Sequence, residues 1–110
     1  MTAERRRHIR VPGPFRGWQQ VGTADTPIQI EDLSEGGCFI HSLQNAPTIG
    51  QRLVLRIDLP GESMLTLEGE TVYARPGAGY GVLFTGLTDA AYSRLERAVE
   101  KLRRRAPARA

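Results

Sequence analysis

The chain has 110 residues, of which 40% are hydrophobic and 25% are charged, a composition typical of one globular domain with a modest core. Its apolar runs are only a few residues long, and no apolar segment follows the basic N-terminus. We therefore predict neither a transmembrane helix nor a secretory signal. The single cysteine, Cys38, excludes an internal disulfide and favours a cytoplasmic protein in which Cys38 is a buried apolar side chain.

Charge is unevenly distributed along the chain, which carries 15 basic and 12 acidic residues. Residues 1–16 and 94–110 together hold 12 basic and three acidic residues, a net charge of +9. Residues 17–93 hold three basic and nine acidic residues, a net charge of −6. A protein that coats nucleic acid usually carries its basic charge on the folded face itself. The observed pattern instead favours a small anion bound where a basic arm meets an acidic body.

The N-terminal part of the chain changes character at residue 11. Residues 1–10 show no hydrophobic periodicity and are predicted to form a flexible basic arm, while residues 11–87 are predicted to form the folded body. Short or alternating apolar segments predict six strands in this body. In chain order they are Phe15–Val21, Ile28–Ile30, Cys38–Ile40, Leu53–Leu59, a long strand from Leu65, and Tyr80–Phe84.

Glycine and proline mark the connections between these strands. Turns are predicted at Gly22–Pro27, Pro60–Ser63 and Pro76–Gly79. In the strand that starts at Leu65 the alternation breaks at Val72 and Ala74, and Gly69 is predicted to mark a bulge.

A helix is predicted at the C-terminus, within residues 88–105. Thr88 is the expected N-cap, and the helix is expected to run from about Asp89 to about Arg104. Its apolar stripe consists of Tyr92, Leu95, Val99 and Leu102. Residues 106–110 are predicted to be disordered. Six hairpin-connected strands and one helix predict a mainly β fold, a six-stranded antiparallel β-barrel with a C-terminal α-helix.

The segment from Asp32 to Gly37 joins two predicted strands and contains a carboxylate, a hydroxyl and two glycines. One interpretation is an ordinary turn, because Asp and Ser side chains bond to nearby backbone. The other is the lip of a ligand site, in which Asp32 accepts hydrogen bonds, Ser34 donates or accepts them, and Gly37 lets a ligand approach the backbone.

The N-terminal arm contains Arg6 and Arg10 at a spacing of four, with Arg5 directly ahead. Such a run can be a solvated or loosely anion-binding tail. Arginine is nevertheless a specific choice, because its planar fork binds phosphate, or the O6/N7 edge of guanine, at two points.

Together these two segments resemble the PilZ family of cyclic di-GMP receptors, whose signature is R-x-x-x-R followed by [D/N]-x-S-x-x-G. Arg6 and Arg10 match the first element, and Asp32, Ser34 and Gly37 match the second. The resemblance extends from about Glu4 to about Leu102, and it implies the barrel fold predicted above.

The resemblance implies a role for each matching residue. Arg6 and Arg10 would bind phosphate and guanine O6/N7, while Asp32 would accept from guanine N1–H and N2–H. Ser34 would bond to a phosphate or a base edge, and Gly37 would admit the ligand against the barrel wall. Arg5 could add a contact that favours a stacked pair of ligands over a single one.

The residues present argue against an enzyme. The chain has only two histidines, His8 and His41, and one cysteine, so a metal site would need more ligands than these, and Ser34 has no assigned base. We therefore expect no catalytic residues, no metal and no cofactor, and a receptor or adaptor that orders its arm on binding cyclic di-GMP and signals to an unidentified protein partner.

Two alternatives stay open at this point. The domain could be a PilZ-like interaction domain that needs no ligand, and only measured binding separates this from a receptor. Less favoured is a small basic nucleic-acid-binding barrel, since aromatic residues make up only 6% of the chain and the predicted strand region is acidic. We predict no specific nucleic acid partner and no membrane insertion, and the sequence does not indicate the oligomeric state.

Overall fold

The structure, a computed structural model, describes residues 9–43 and 46–105. It contains six strands and one helix. The elements are β1 Val11–Val21, β2 Ala24–Leu33, β3 Gly37–His41, β4 Arg52–Asp58, β5 Leu65–Arg75, β6 Gly79–Thr85 and α1 Asp89–Arg105. The strands form a closed antiparallel barrel in the order β1-β2-β3-β6-β5-β4, with β4 returning to β1. The predicted six-stranded barrel with a C-terminal helix is confirmed.

The core lies inside this barrel and follows the period-two pattern of the sequence. Along β4, Leu53, Leu55 and Ile57 are buried while Arg52 and Asp58 are exposed. Closure through the β1–β4 pairing gives every strand two neighbours, which removes the unpaired edges of an open sheet.

The predicted turn at Gly22–Pro27 is too long. β2 begins at Ala24, and Pro27 pairs with Trp18 of β1. Its pairing with β3 begins only at Gln29, so Pro27 sits where β2 has a single neighbour. A proline is tolerated there because its missing N–H is not needed for a second ladder.

The predicted bulge at Gly69 is wrong. The irregularity in the β5–β6 pairing lies between Thr71 and Tyr73, so Val72 is the extra residue. Gly69 faces inward, and a Cβ there would lie 2.5 Å from Cγ1 of Val82. This position therefore requires a glycine for packing rather than for a change of register.

Helix α1 covers one end of the barrel. Thr88 caps it as predicted, since its hydroxyl accepts from the Ala91 N–H at 3.0 Å. Leu95, Ala98 and Val99 are buried in the common core. Tyr92, predicted to belong to the buried stripe, is instead 36% exposed, and the stripe runs through Ala98. At this end α1 also contacts the β4–β5 turn, where Lys101 pairs with Glu62.

Most of the predicted arm and all of the predicted disordered tail lie outside the described residues. Of the arm, Ile9 and Arg10 are described, and both are exposed.

Candidate functional site

A register shift in β2 places Asp32 on the outside of the barrel. Ile30 and Leu33 are both fully buried, and the pairing with β3 shifts between Ile30 and Asp32, which makes Glu31 the extra residue. Strict alternation from Ile30 would turn Asp32 inward. The bulge therefore brings a carboxylate to the outer wall at the start of the Asp32–Gly37 connection.

The bulge at Val72 has the same effect on β5. Thr71 is fully buried, and Tyr73 is 40% exposed although it lies two positions along the strand. Asp32 pairs with Phe39, Phe39 with Gly81, and Gly81 with Tyr73. These four residues form one row across β2, β3, β6 and β5, which we call the outer-wall row.

Arg10 lies at the start of this row. One of its Nη atoms donates to an Oδ atom of Asp32. The side chains of Arg10 and Asp32 are 51% and 33% exposed, respectively. The ion pair therefore orients a guanidinium at the surface, and its other N–H donors can bind an anion or a base edge.

Ser34 braces the turn that follows Asp32. Its hydroxyl accepts from the backbone N–H groups of Gly36 at 3.1 Å and Gly37 at 3.3 Å, and the Ser34 N–H donates to the Gly37 carbonyl at 2.9 Å. The residue is only 3% exposed. Thus the local bonding expected of an ordinary turn is present, and Ser34 supplies it.

Gly37 is required by the packing of β3 against β6. A Cβ at this position would lie 2.1 Å from the carbonyl oxygen of Val82, closer than any side chain can approach. Gly37 was predicted to let a ligand approach the backbone closely. In the structure the missing side chain also lets β3 and β6 lie close together.

A cavity of about 390 Å³ lies on the wall beside this turn, and we call it the outer-wall cavity. Arg10, Ser34 and Gly37 line it together with residues of β5 and β6. The β5 and β6 side includes the exposed apolar residues Val72, Tyr73 and Leu83. The site therefore has a cationic edge, a polar turn and an apolar wall, a combination suited to a nucleotide with charged and aromatic parts.

The far end of the row carries two aromatic rings and a cation that the sequence interpretation missed. The ring centroids of Phe39 and Tyr73 are 6.1 Å apart. The Arg75 guanidinium carbon lies 5.2 Å from the first centroid and 5.7 Å from the second. Within the part of the chain that the structure describes, no acidic side chain pairs with Arg75. The break in alternation at Val72 was the sequence signal that could have placed Tyr73 outside.

Glu35 lies in the motif but does not line the outer-wall cavity. Its Oε1 atom is buried, and no hydrogen-bond partner lies within the described residues. Burial raises the pKa of Tyr92, and the charges of Glu35 and Glu96 raise it further. Glu35 thus lies toward α1 rather than toward the cavity.

Of the six residues predicted to bind a ligand, the structure brings together Arg10, Asp32, Ser34 and Gly37, whereas Arg5 and Arg6 lie outside the described residues.

Burial strongly raises the pKa of the Cys38 thiol, which keeps it protonated and unreactive. Among the described residues, no group of three or more His, Cys, Asp and Glu side chains is placed to hold a metal ion. Within the same ranges, no helix has the length and apolarity needed to span a membrane.

Comparison with solved structures shows the same fold in several proteins. They include the inhibitor of motility MotI/DgrA of Bacillus subtilis, at 15% identity and a TM-score of 0.77 over 94% of this chain. The PilZ domain of YcgR from Escherichia coli, solved with c-di-GMP, has 16% identity and a TM-score of 0.77, with 93% of this chain and 94% of that one covered. The PilZ domain of CeSA from a cellulose-synthesizing bacterium has 23% identity and a TM-score of 0.70, with 86% and 98% covered.

This chain spans about half of MotI, 53% of whose length is covered. A search of curated proteins gives no match. The sequence model of the PilZ domain, however, matches residues 4–101, which is most of the chain. The protein therefore belongs to the PilZ domain family.

Proposed function

We propose that this protein is a cyclic di-GMP receptor that transmits ligand binding to a protein partner. The observation that carries the proposal is the Arg10–Asp32 ion pair at the edge of the outer-wall cavity. It sets a forked cation and an acceptor of guanine N–H groups side by side, as a ligand with phosphates and guanines requires. The PilZ domain of YcgR, which shares this fold, was solved with c-di-GMP.

Arg10 is assigned to phosphate or to the O6/N7 edge of guanine, with Arg6, four residues earlier in the motif, as its partner. The guanidinium of Arg10 has five N–H donors, and Asp32 uses only part of this set. Arg10 can therefore keep its contact with Asp32 while it binds the ligand. A lysine could not do both, because its ammonium is a point charge without the planar fork.

Asp32 is assigned to the N1–H and N2–H donors of a guanine. A carboxylate beside a ligand with two phosphates is repulsive unless it faces donors, and the Watson–Crick edge of guanine supplies two of them. Ser34 and Gly37 contribute the shape of the turn, and a direct bond from Ser34 to the ligand stays a prediction.

The wall of β5 and β6 is suited to the bases. Tyr73 and Leu83 offer apolar surface beside the turn, and Arg75 adds a stacked cation at the end of the row. Charge-assisted hydrogen bonds contribute about 1.5–3 kcal/mol each. Four or five of them, reduced by the cost of ordering the binding groups, correspond to a Kd on the order of micromolar, or about −8 kcal/mol.

Isothermal titration calorimetry with cyclic di-GMP, against GTP and cyclic di-AMP, tests the proposal. We expect saturable binding of cyclic di-GMP only, and a stoichiometry of two would indicate the stacked pair that Arg5 favours. Binding of all three nucleotides with equal affinity would instead indicate a nonspecific anion site. No binding of cyclic di-GMP would indicate the ligand-independent interaction domain.

Three variants locate the site. Arg10→Ala and Arg6→Ala are expected to abolish measurable binding, and Arg10→Lys to restore little of it. Arg52→Ala is the matched control. Arg52 is exposed on β4 and does not line the outer-wall cavity, so this substitution removes one positive charge at a place away from the site. Equal losses in Arg10→Ala and Arg52→Ala would mean that net charge, not the fork, binds the ligand.

A further inference from the structure

The two ends of the barrel differ in the described residues, because α1 covers one end and no helix lies at the other. The β1–β2 turn, the β3–β4 loop and the β5–β6 turn lie at this second end. A cavity of about 660 Å³ lies there, larger than the outer-wall cavity. We call it the mouth cavity. We infer that the mouth cavity is a second binding site, for an uncharged small molecule that combines a hydrogen-bonding group with an apolar body.

The floor of the mouth cavity is polar where a barrel interior is normally apolar. Gln19 occupies an inward position of β1 and is 8% exposed, and Tyr80 occupies an inward position of β6 and is 3% exposed. The Tyr80 hydroxyl donates to Oε1 of Gln19 at 2.6 Å. Burying an amide costs free energy unless its N–H and C=O groups form hydrogen bonds. This bond uses the Gln19 carbonyl, and among the described residues no acceptor pairs with the amide N–H donors of the same side chain, which are left for a ligand acceptor.

The lining of the mouth cavity carries no acid, lysine or arginine among the described residues, although such residues make up 25% of the chain. Its polar groups are neutral amides and hydroxyls, with His41 at one side. His41 is bonded through Nδ1 to Glu31, which does not line the cavity. A charged ligand would lose its hydration without gaining an opposite charge, which selects for an uncharged one.

Part of the wall above this floor is apolar, and polar side chains such as Thr26, Gln29 and Gln51 form the rest. Val21, Pro27, Ile28, Ala46 and Pro47 all line the cavity. Small-molecule sites often occupy the mouths of β-barrels and combine such walls with a few polar groups. The expected ligand therefore places a flat apolar portion against Val21 and Ile28 and an amide-like group on Gln19. This chemistry differs from that of the outer-wall cavity, which has a cationic edge at Arg10.

Three probes of one shape and different charge test the inference: benzamide, benzoate and benzamidinium. Each is titrated into the full chain and followed by the methyl NMR signals of Val21 and Ile28, with those of Val72 and Leu83 as the reference for the other cavity. We expect saturable shifts of Val21 and Ile28 with benzamide, and weaker or no binding of the two ions. Equal response to all three probes, or no saturable shift with benzamide, would overturn the inference.

Neighbouring glutamines provide a matched pair of variants. Gln19→Leu should weaken benzamide binding about tenfold, because a hydrogen bond at the floor is lost. Gln20→Leu removes the same group from the exposed face of β1, where Gln20 bonds to the Gly22 carbonyl at 3.4 Å, and should leave binding unchanged. Similar affinities for the two variants would exclude Gln19 from the site.

Thr48→Trp tests the location without disturbing the floor, since Thr48 is exposed and lines the cavity. The indole ring should fill the mouth cavity and abolish benzamide binding, whereas Arg10→Ala should leave benzamide binding unchanged. Undiminished binding in Thr48→Trp, or its loss in Arg10→Ala, would show that benzamide binds elsewhere.

Discussion

The rings of Phe39 on β3 and Tyr73 on β5 stack across an intervening strand, with centroids 6.1 Å apart. Gly81 of β6 pairs with both residues and makes this contact possible. A Cβ on Gly81 would lie 2.3 Å from the Tyr73 ring. A glycine in the middle strand thus lets two aromatic side chains meet beside the outer-wall cavity.

Gly81→Ala is therefore expected to displace Tyr73 and to lower the free energy of unfolding by about 1–3 kcal/mol, the usual cost of overpacking. The backbone of Gly81 is not in the left-handed region, so the cost arises from the contact with the ring. Urea denaturation measures the change. Because Tyr73 lines the outer-wall cavity, the affinity for cyclic di-GMP should also fall.

The same substitution in a Tyr73→Ala background is the control for Gly81→Ala. Without the ring the added methyl has space, so the second change should cost much less than it does in the native chain. Equal costs in the two backgrounds would show that strain elsewhere in β6, and not the Tyr73 contact, causes the loss.

The barrel could be predicted from the sequence because period-two burial and glycine-rich turns are local signals. The alternation along Leu53–Leu59 gave β4 to within one residue at each end. The errors fell where tertiary contacts override local preference. Pro27 indicated a turn, but it lies within β2 at a place with one neighbouring strand. Gly69 suggested a bulge, but its lack of a side chain serves the packing of Val82.

Only the residues of the candidate site that lie in two short sequence motifs were predicted. Asp32 near the end of β2, Ser34 in the turn and Gly37 at the start of β3 belong to one short segment. Ser34 and Gly37 line the outer-wall cavity with Arg10, and Asp32 pairs with Arg10. Tyr73 and Arg75 are distant in sequence from the segment that contains Asp32, Ser34 and Gly37. They reach the outer-wall row only because the bulge at Val72 shifts the register of β5. Period-two reasoning assigns Tyr73 to the interior, so the aromatic end of the site needed the structure.

Two substitutions distinguish a role of Asp32 in ligand recognition from its role in the salt bridge with Arg10. Asp32→Ala should cost at most about 1 kcal/mol of stability, because the pair with Arg10 is partly exposed. Asp32→Asn should weaken cyclic di-GMP binding about 10- to 100-fold by calorimetry, since an amide N–H₂ would face guanine donors.

Glu31→Gln is the matched control for Asp32→Asn, because it removes a neighbouring outer-wall carboxylate that pairs with His41 instead. Its affinity for cyclic di-GMP should equal that of the native protein. Native affinity in Asp32→Asn would exclude guanine recognition by this carboxylate.

Thr71→Val is expected to stabilise the domain by about 1 kcal/mol. The Thr71 side chain is fully buried, and its hydroxyl has no hydrogen-bond partner within residues 9–43 and 46–105. Valine has nearly the same shape without the unpaired hydroxyl. Thr66→Val on the exposed face of the same strand should change the free energy of unfolding little. A destabilised Thr71→Val would indicate that an ordered water bonds to this hydroxyl.

The pair of Glu62 and Lys101 predicts part of the pH dependence of stability. The hydrogen bond from Lys101 Nζ, 2.9 Å from Oε2, lowers the pKa of Glu62, and the charges of Lys101 and Arg97 lower it further. A lowered pKa in the folded state contributes stability that is fully present above the unfolded value, about 4.3 for Glu, and is lost as the pH falls through the folded value.

Glu62→Gln should therefore be less stable than the native protein at neutral pH, and the difference should disappear in acid, below both pKa values of Glu62. Urea denaturation at a series of pH values from about 7 into the acid range measures this difference. Lys101→Met should show the same pH dependence as Glu62→Gln. The double variant should lose no more free energy of unfolding than either single variant. A pH-independent effect of Glu62→Gln would assign it to packing of the turn.

Binding of cyclic di-GMP is expected to order the segment from Arg6 to Arg10. Arg10 already contacts Asp32 at the cavity, and Arg6 must reach the same ligand across four residues, at most about 14 Å of extended chain. Ile9 is the only aliphatic residue of this segment, and so little apolar content favours ordering that depends on the ligand. Hydrogen exchange should show new protection of amides 6–10 on binding, while those of Leu53–Leu59, in the core strand β4, change little. The ordered segment would present a new surface to a partner. Equal protection of amides 6–10 in the free and bound protein would exclude the arm as the element that signals.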